Sequence, residues 1–147
     1  MTHTAGLGRM IVEGVRAAWH SESGAREGVR TALREHPGRA EGRVADWAID
    51  RVAEHLRRHS RRRLRLGAVD ACEVTADERH LMSLLESVGR GADEAARLKA
   101  EWLVRGSQAG VLIERLQPLA DIAMRHGVAA ADAERAAEAL MSSASNV

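Results

Sequence analysis

The chain contains three tryptophans, Trp19, Trp47 and Trp102, and no phenylalanine or tyrosine. Its apolar core must therefore come from Ala, Leu, Val, Ile and Met. Strands are enriched in β-branched and aromatic residues, so this palette favours closely packed helices. It also weighs against modules that stack bases on Tyr or Phe, such as RRM or OB folds. With 147 residues and 45% hydrophobic content, the chain is long enough to bury a core without disulfides or a metal. One domain spanning residues 1–147 is expected, with a sub-boundary, if any, near 67–74.

Apolar spacing predicts an all-α fold, a compact bundle of about six to seven short helices. Leu7, Met10, Ile11, Val15 and Trp19 form one helical face, with Thr4 as its N-cap. A second helix buries Val29, Ala32 and Leu33, and His36-Pro37-Gly38 ends it. The third carries a stripe of Ala45, Ala48, Ile49, Val52, Ala53 and Leu56, with Val44 and Trp47 at its edge. Asp46, Asp50 and Glu54 form an acidic row on that helix, read as a solvated face. Residues 67–74 form a linker. Thr75-Ala-Asp-Glu78 matches a capping box opening a helix with Leu81, Leu84, Leu85 and Val88 inward. Asp93 and Glu94 open the next, with Ala95, Leu98 and Trp102 on one face. Ser107 is placed as a cap, Pro118 in the first turn of a further helix, and a last helix over 132–141.

The third helix runs into the most unusual stretch of the chain, six arginines in nine residues: Arg57, Arg58, Arg61, Arg62, Arg63 and Arg65. Net charge is only +1 and Lys99 is the single lysine, so the basic charge is local and almost all arginine. One expected cause is the Ala/Arg/Gly-rich codon bias of a GC-rich bacterial genome; the other is a need for bidentate anion binding. Arginine also binds phosphate and carboxylate bidentately, which lysine does not. The helix is expected to continue through the run, as a projecting basic arm or a frayed end, and to stop at Gly67. Such a face can track phosphates, or meet an acidic protein or anionic surface. It is equally compatible with a solvated helix end, where cations suit the macrodipole.

Two further patterns carry chemistry. Residues 118–140 have helix-turn-helix spacing, with Gly127 at the turn. The face that would read DNA is Ala129, Ala130, Ala131, Glu134, Arg135 and Glu138, which offers few base-edge donors. His55 and His59 stand at i, i+4, and Asp77 and His80 at i, i+3, spacings found in metal sites. His55, His59 and His80 are thus the candidate metal ligands, but arginines beside the first two would repel a cation. No phosphate-binding glycine loop, nucleophile elbow or haem-attachment motif is present. Cys72 lies in the linker with no base beside it. With one cysteine, no signal-peptide pattern and no apolar run long enough to span a bilayer, a soluble cytoplasmic protein is expected.

The leading expectation is a non-catalytic regulatory or accessory protein. It binds an acidic macromolecule, nucleic acid foremost, through Arg57, Arg58, Arg61, Arg62, Arg63 and Arg65, with no cofactor. One alternative is a helical protein–protein interaction subunit or homodimeric adaptor. Another is a metal-binding bundle built on His55 and His59.

Overall fold

The computed structural model describes residues 3–126. Five α-helices come first: α1 (His3–Trp19), α2 (Ser23–Glu35), α3 (Arg39–His59), α4 (Ala76–Gly89) and α5 (Asp93–Leu103). A 3-10 turn, Gly106–Gln108, leads into α6 over 109–126. The fold is all-α. The proposed helix over 132–141 and the second half of the helix-turn-helix spacing lie outside the described residues.

Helices α1, α2 and α3 pack on one another pairwise, and α4 and α5 form a second pair. Val12, Val52, Leu85 and Leu116 line one small internal void, which sets α1, α3, α4 and α6 around a common centre. The α3 stripe is wholly buried as its spacing requires, from Ala45 through Leu56. Leu81, Leu84, Leu85 and Val88 of α4 join the same apolar cluster. The α4 capping box forms: Thr75 Oγ1 accepts from the Glu78 amide at 3.1 Å, and Glu78 Oε1 accepts from the Thr75 amide at 2.9 Å.

Several expectations fail. Helix α5 buries Ala96, Ala100 and Leu103 and turns Leu98 (65% exposed) and Trp102 (56% exposed) to solvent. Both stripes have helical spacing, and the smaller residues win because they allow the closer approach to α4. Helix α6 runs straight through Pro118. Leu112, Leu116, Leu119 and Ile122 give it an unbroken buried stripe, while Glu114, whose carbonyl loses its bond to the ring nitrogen, is exposed. Thr4 falls inside α1, which starts at His3.

The acidic row on α3 is a solvated face only in part: Asp50 and Glu54 are exposed, but Asp46 and Asp50 also pair with α2. Arg26 of α2, 5% exposed, bonds Asp50 Oδ1 at 3.0 Å and the Asp46 carbonyl at 2.7 Å, and pairs with the Asp46 carboxylate. Arg30 reaches the same carboxylate at 3.2 Å. Asp46 and Asp50 thus tie α3 to α2.

The linker is held by a buried ion pair that the sequence did not disclose. Arg16 of α1 is fully buried and donates to both carboxylate oxygens of Glu78, the Nη2–Oε1 bond at 2.8 Å. Its remaining donors reach the carbonyls of Ala71 at 3.0 Å and Glu73 at 2.7 Å. Gly67 gives its amide to Glu78 Oε2 at 3.1 Å. A Cβ on Gly67 would lie 2.7 Å from the Arg16 guanidinium, so a larger residue there would have to displace the buried ion pair.

Candidate nucleic-acid interface

The arginine run is not a helical face. Helix α3 ends at His59, and the Ser60 amide caps it by donating to the Leu56 carbonyl at 3.0 Å. Arginine is a good helix former, so local preference does not set this stop. Tertiary pairing does. Ser60 forms an isolated antiparallel bridge with Val104, just past the end of α5. The Arg61 amide donates to the Leu103 carbonyl at 3.0 Å, and the Arg105 amide to the His59 carbonyl at 3.1 Å. Leu64 then sinks into the core at 5% exposure.

The six arginines consequently divide by role. Arg57 caps α1: its guanidinium donates to the carbonyl of Ala18 at 2.8 Å and to that of Trp19, and lies over the Trp19 ring. Arg62 turns inward to Asp77, with an Nη2–Oδ1 contact of 2.6 Å. Asp77 also accepts the Arg65 amide at 2.7 Å, which fixes the backbone of the segment. Burial would raise the Asp77 carboxyl, but the bonds from Arg62 and Arg65 outweigh it and leave the pKa below its ordinary value.

Arg58, Arg61, Arg63 and Arg65 point outward. Arg58 makes only an exposed pair with Glu54 at 3.3 Å, a kind worth a few tenths of a kcal/mol (~0.3–0.5). The side chains of Arg61, Arg63 and Arg65 have no acidic or carbonyl partner among the described residues. All four arginines over 61–65 are exposed, but Arg62 is engaged by Asp77 and Leu64 is buried between them, which leaves Arg61, Arg63 and Arg65 with free guanidinium groups among the described residues. Beside them sits exposed Trp102, with the Arg62 guanidinium 5.4 Å and the His80 ring 5.6 Å from its ring. Sequence reasoning missed Trp102 as a surface group, because its spacing matched a buried stripe as well as an exposed one.

The histidines occupy other roles. His55 is buried, with Nε2 3.2 Å from the Gln108 carbonyl and its ring 4.7 Å from that of His59. His80 Nε2 is 3.1 Å from the Lys99 carbonyl. Among the described residues, no three His, Cys, Asp or Glu side chains gather as metal ligands would. His126 bonds Glu41 at 2.9 Å, so its place in α6 is polar. Cys72 is exposed. No described helix is long and apolar enough to cross a membrane.

Comparison with family models, with curated proteins and with solved structures finds no match to this chain.

Proposed function

We propose that the protein is a non-catalytic regulatory or accessory protein that binds an acidic macromolecule, nucleic acid foremost, through residues 58–65. The observation that carries this reading is the set of exposed arginines, Arg61, Arg63 and Arg65, on a backbone anchored by Asp77 and the Ser60–Val104 bridge. A pre-fixed segment loses less conformational freedom on binding than a frayed arm would. Arginine forks suit phosphate oxygens. Trp102 adds one aromatic face on which an unpaired base can stack, a contact worth about 1–3 kcal/mol. The contacts are of a phosphate-tracking kind, giving affinity without sequence reading.

The test is a titration of duplex DNA and single-stranded RNA into the protein at about 50 and 200 mM salt. Each phosphate contact adds about 0.9 to the log–log salt slope, so three arginines predict roughly fortyfold weaker binding at the higher salt. Arg61→Gln, Arg63→Gln and Arg65→Gln together should abolish most of that slope. Binding that persists unchanged in the triple variant would remove the segment as the interface. Preference for single strands, lost in Trp102→Ala, would place stacking in the mode of binding.

A second reading is favoured by one observation. Leu98 and Trp102 stand one turn apart on α5, both more than half exposed, and an apolar stripe of this kind suits a protein partner or a second copy. Sedimentation at micromolar concentration separates the two. A dimer that dissociates in Leu98→Glu supports the interaction subunit; a monomer at all concentrations counts against self-association.

A further inference from the structure

At the opposite end of α3, Arg30 and Arg34 stand one turn apart on α2, and Arg39 and Arg43 one turn apart on α3. Gly38, at φ 128°, turns the chain between the helices, a backbone state that side chains disfavour. Gly42 lets the helices touch: a Cβ there would lie 2.6 Å from the Leu33 carbonyl oxygen. The two pairs therefore face one open cleft of about 630 Å³, lined by these four arginines with Gly42 and Asp46 among the remaining walls.

We infer that this cleft binds a compact polyphosphate anion, as a site separate from residues 58–65. Charge is the first reason. Asp46 is the one carboxylate in the lining, and Arg26 and Arg30 already engage it. Arg34, Arg39 and Arg43 have no ionic or hydrogen-bonding partner among the described residues. Position is the second. The start of a helix favours anions, yet α3 opens with Arg39 and Arg43. The one acid of its first turn, Glu41, is bonded away to Arg125 at 2.7 Å and His126 at 2.9 Å. No side chain caps the helix at Gly38. Like charges gathered where the backbone is also positive break the local rule, and such breaks concentrate at functional sites. A multivalent anion relieves both.

Lining chemistry narrows the ligand. Guanidinium forks match phosphate oxygens two at a time. The cleft has a volume within the range of small-ligand sites, but no aromatic or large apolar side chain lines it. It recognises charge, not a ring, so the group bound is a pyrophosphate-like chain. Helix α3 has 21 residues, which puts its two basic ends about 30 Å apart. No small anion spans both.

Calorimetric titration of the full chain with pyrophosphate tests this. One saturable site is expected. It should weaken at least about tenfold in Arg39→Gln/Arg43→Gln and in Arg34→Gln, each of which loses charge-assisted bonds. All three are exposed, so the variants should keep the wild-type circular dichroism. The Arg61→Gln/Arg63→Gln/Arg65→Gln variant should bind pyrophosphate as the wild type does, which separates this site from the proposed nucleic-acid interface. Adenosine diphosphate should bind no more tightly than pyrophosphate. Absence of a saturable site, equal weakening in every variant, or a clear preference for the nucleotide would each overturn the inference.

Discussion

Arg16 and Glu78 meet as a fork-to-fork pair at almost zero exposure, and every remaining acceptor they need comes from the linker between them. An ion pair in a dry interior recovers its desolvation cost only when the surplus donors and acceptors are also satisfied. Here they are. Removing one partner leaves a buried charge, so Arg16→Met or Glu78→Gln should each cost about 3–5 kcal/mol in urea unfolding. The Arg16→Met/Glu78→Gln double variant should lose less than the sum of the two, because no charge is stranded. Additive losses would mean that the pair is not coupled.

Protonation of His55 should couple stability to pH. Burial pushes the His55 imidazole below its ordinary value; the Gln108 carbonyl opposes this, and the nearby Arg115 and His59 add to it. The fold prefers the neutral ring, so on acidification the unfolded chain takes up this proton first. The contribution is full above about pH 6.5, the unfolded value, and falls as pH drops through it toward the lower folded value. Unfolding in urea at about pH 7 and pH 5 should show a loss that shrinks in His55→Leu. Identical pH slopes for the two proteins would rule out His55 as the source.

A second acid-sensitive layer lies lower. Burial would raise the Glu78 carboxyl, but bonds from Arg16, Thr75 and Gly67 hold it below its ordinary value. Its stabilisation is present above the unfolded glutamate value, about 4.3, and is lost as pH falls through the folded one. Acid unfolding should therefore begin at a higher pH in Arg16→Met than in the wild type. The pH midpoint by circular dichroism measures this, and an unchanged midpoint would detach Glu78 from acid unfolding.

Two glycine substitutions should act in opposite directions. In Gly42→Ala the new methyl meets the Leu33 carbonyl carbon at 2.9 Å and its oxygen at 2.6 Å, both backbone. The helices must separate, at about 1–3 kcal/mol. Gly28 lies on the exposed face of α2 with nothing within 4 Å of the added carbon. Gly28→Ala should stabilise by about 1 kcal/mol through helix propensity alone. Thermal melts of the two variants check the sign of each.

Asp77→Asn should loosen the basic segment without unfolding the bundle. The carboxylate holds the Arg62 side chain and the Arg65 amide together, and bonds to a charged group are worth about 1.5–3 kcal/mol. Faster hydrogen exchange at the Arg65 amide is expected. Exchange at the wild-type rate would show that the bridge alone fixes the segment.

Much of the fold could be read in the sequence, because α3 and α4 have one apolar stripe each; α1 shows its Leu7–Ile11–Val15 stripe but is buried on more of its circumference, at Val12, Arg16 and Ala17. The α4 capping box is a local signal and forms as written. Helix α5 carries two competing stripes, and only the packing of α4 against it chooses Ala96, Ala100 and Leu103 over Leu98 and Trp102. The end of α3 is invisible locally, since arginines extend a helix readily and the partner that stops it, Val104, lies far along the chain. Burial of Arg16 and Arg26 is hidden for the same reason: their acids sit on other helices. The arginine run was visible as a charged stretch, but its division into structural and outward residues depends on Asp77, on Trp19 and on the bridge. Nothing in the local pattern separates Arg62 from Arg63.

The Ser60–Val104 pairing has a consequence for how the chain can vary. Residues 61–103 leave the end of α3, pack α4 against α1 through the Arg16–Glu78 pair, and return beside the end of α3 at this bridge, where α6 begins soon afterwards. A change in the length of that excursion, for instance at the exposed turn around Gly91, leaves the spacing between α3 and α6 untouched. The topology thus separates a turn that tolerates insertion from a frame whose dimensions are set.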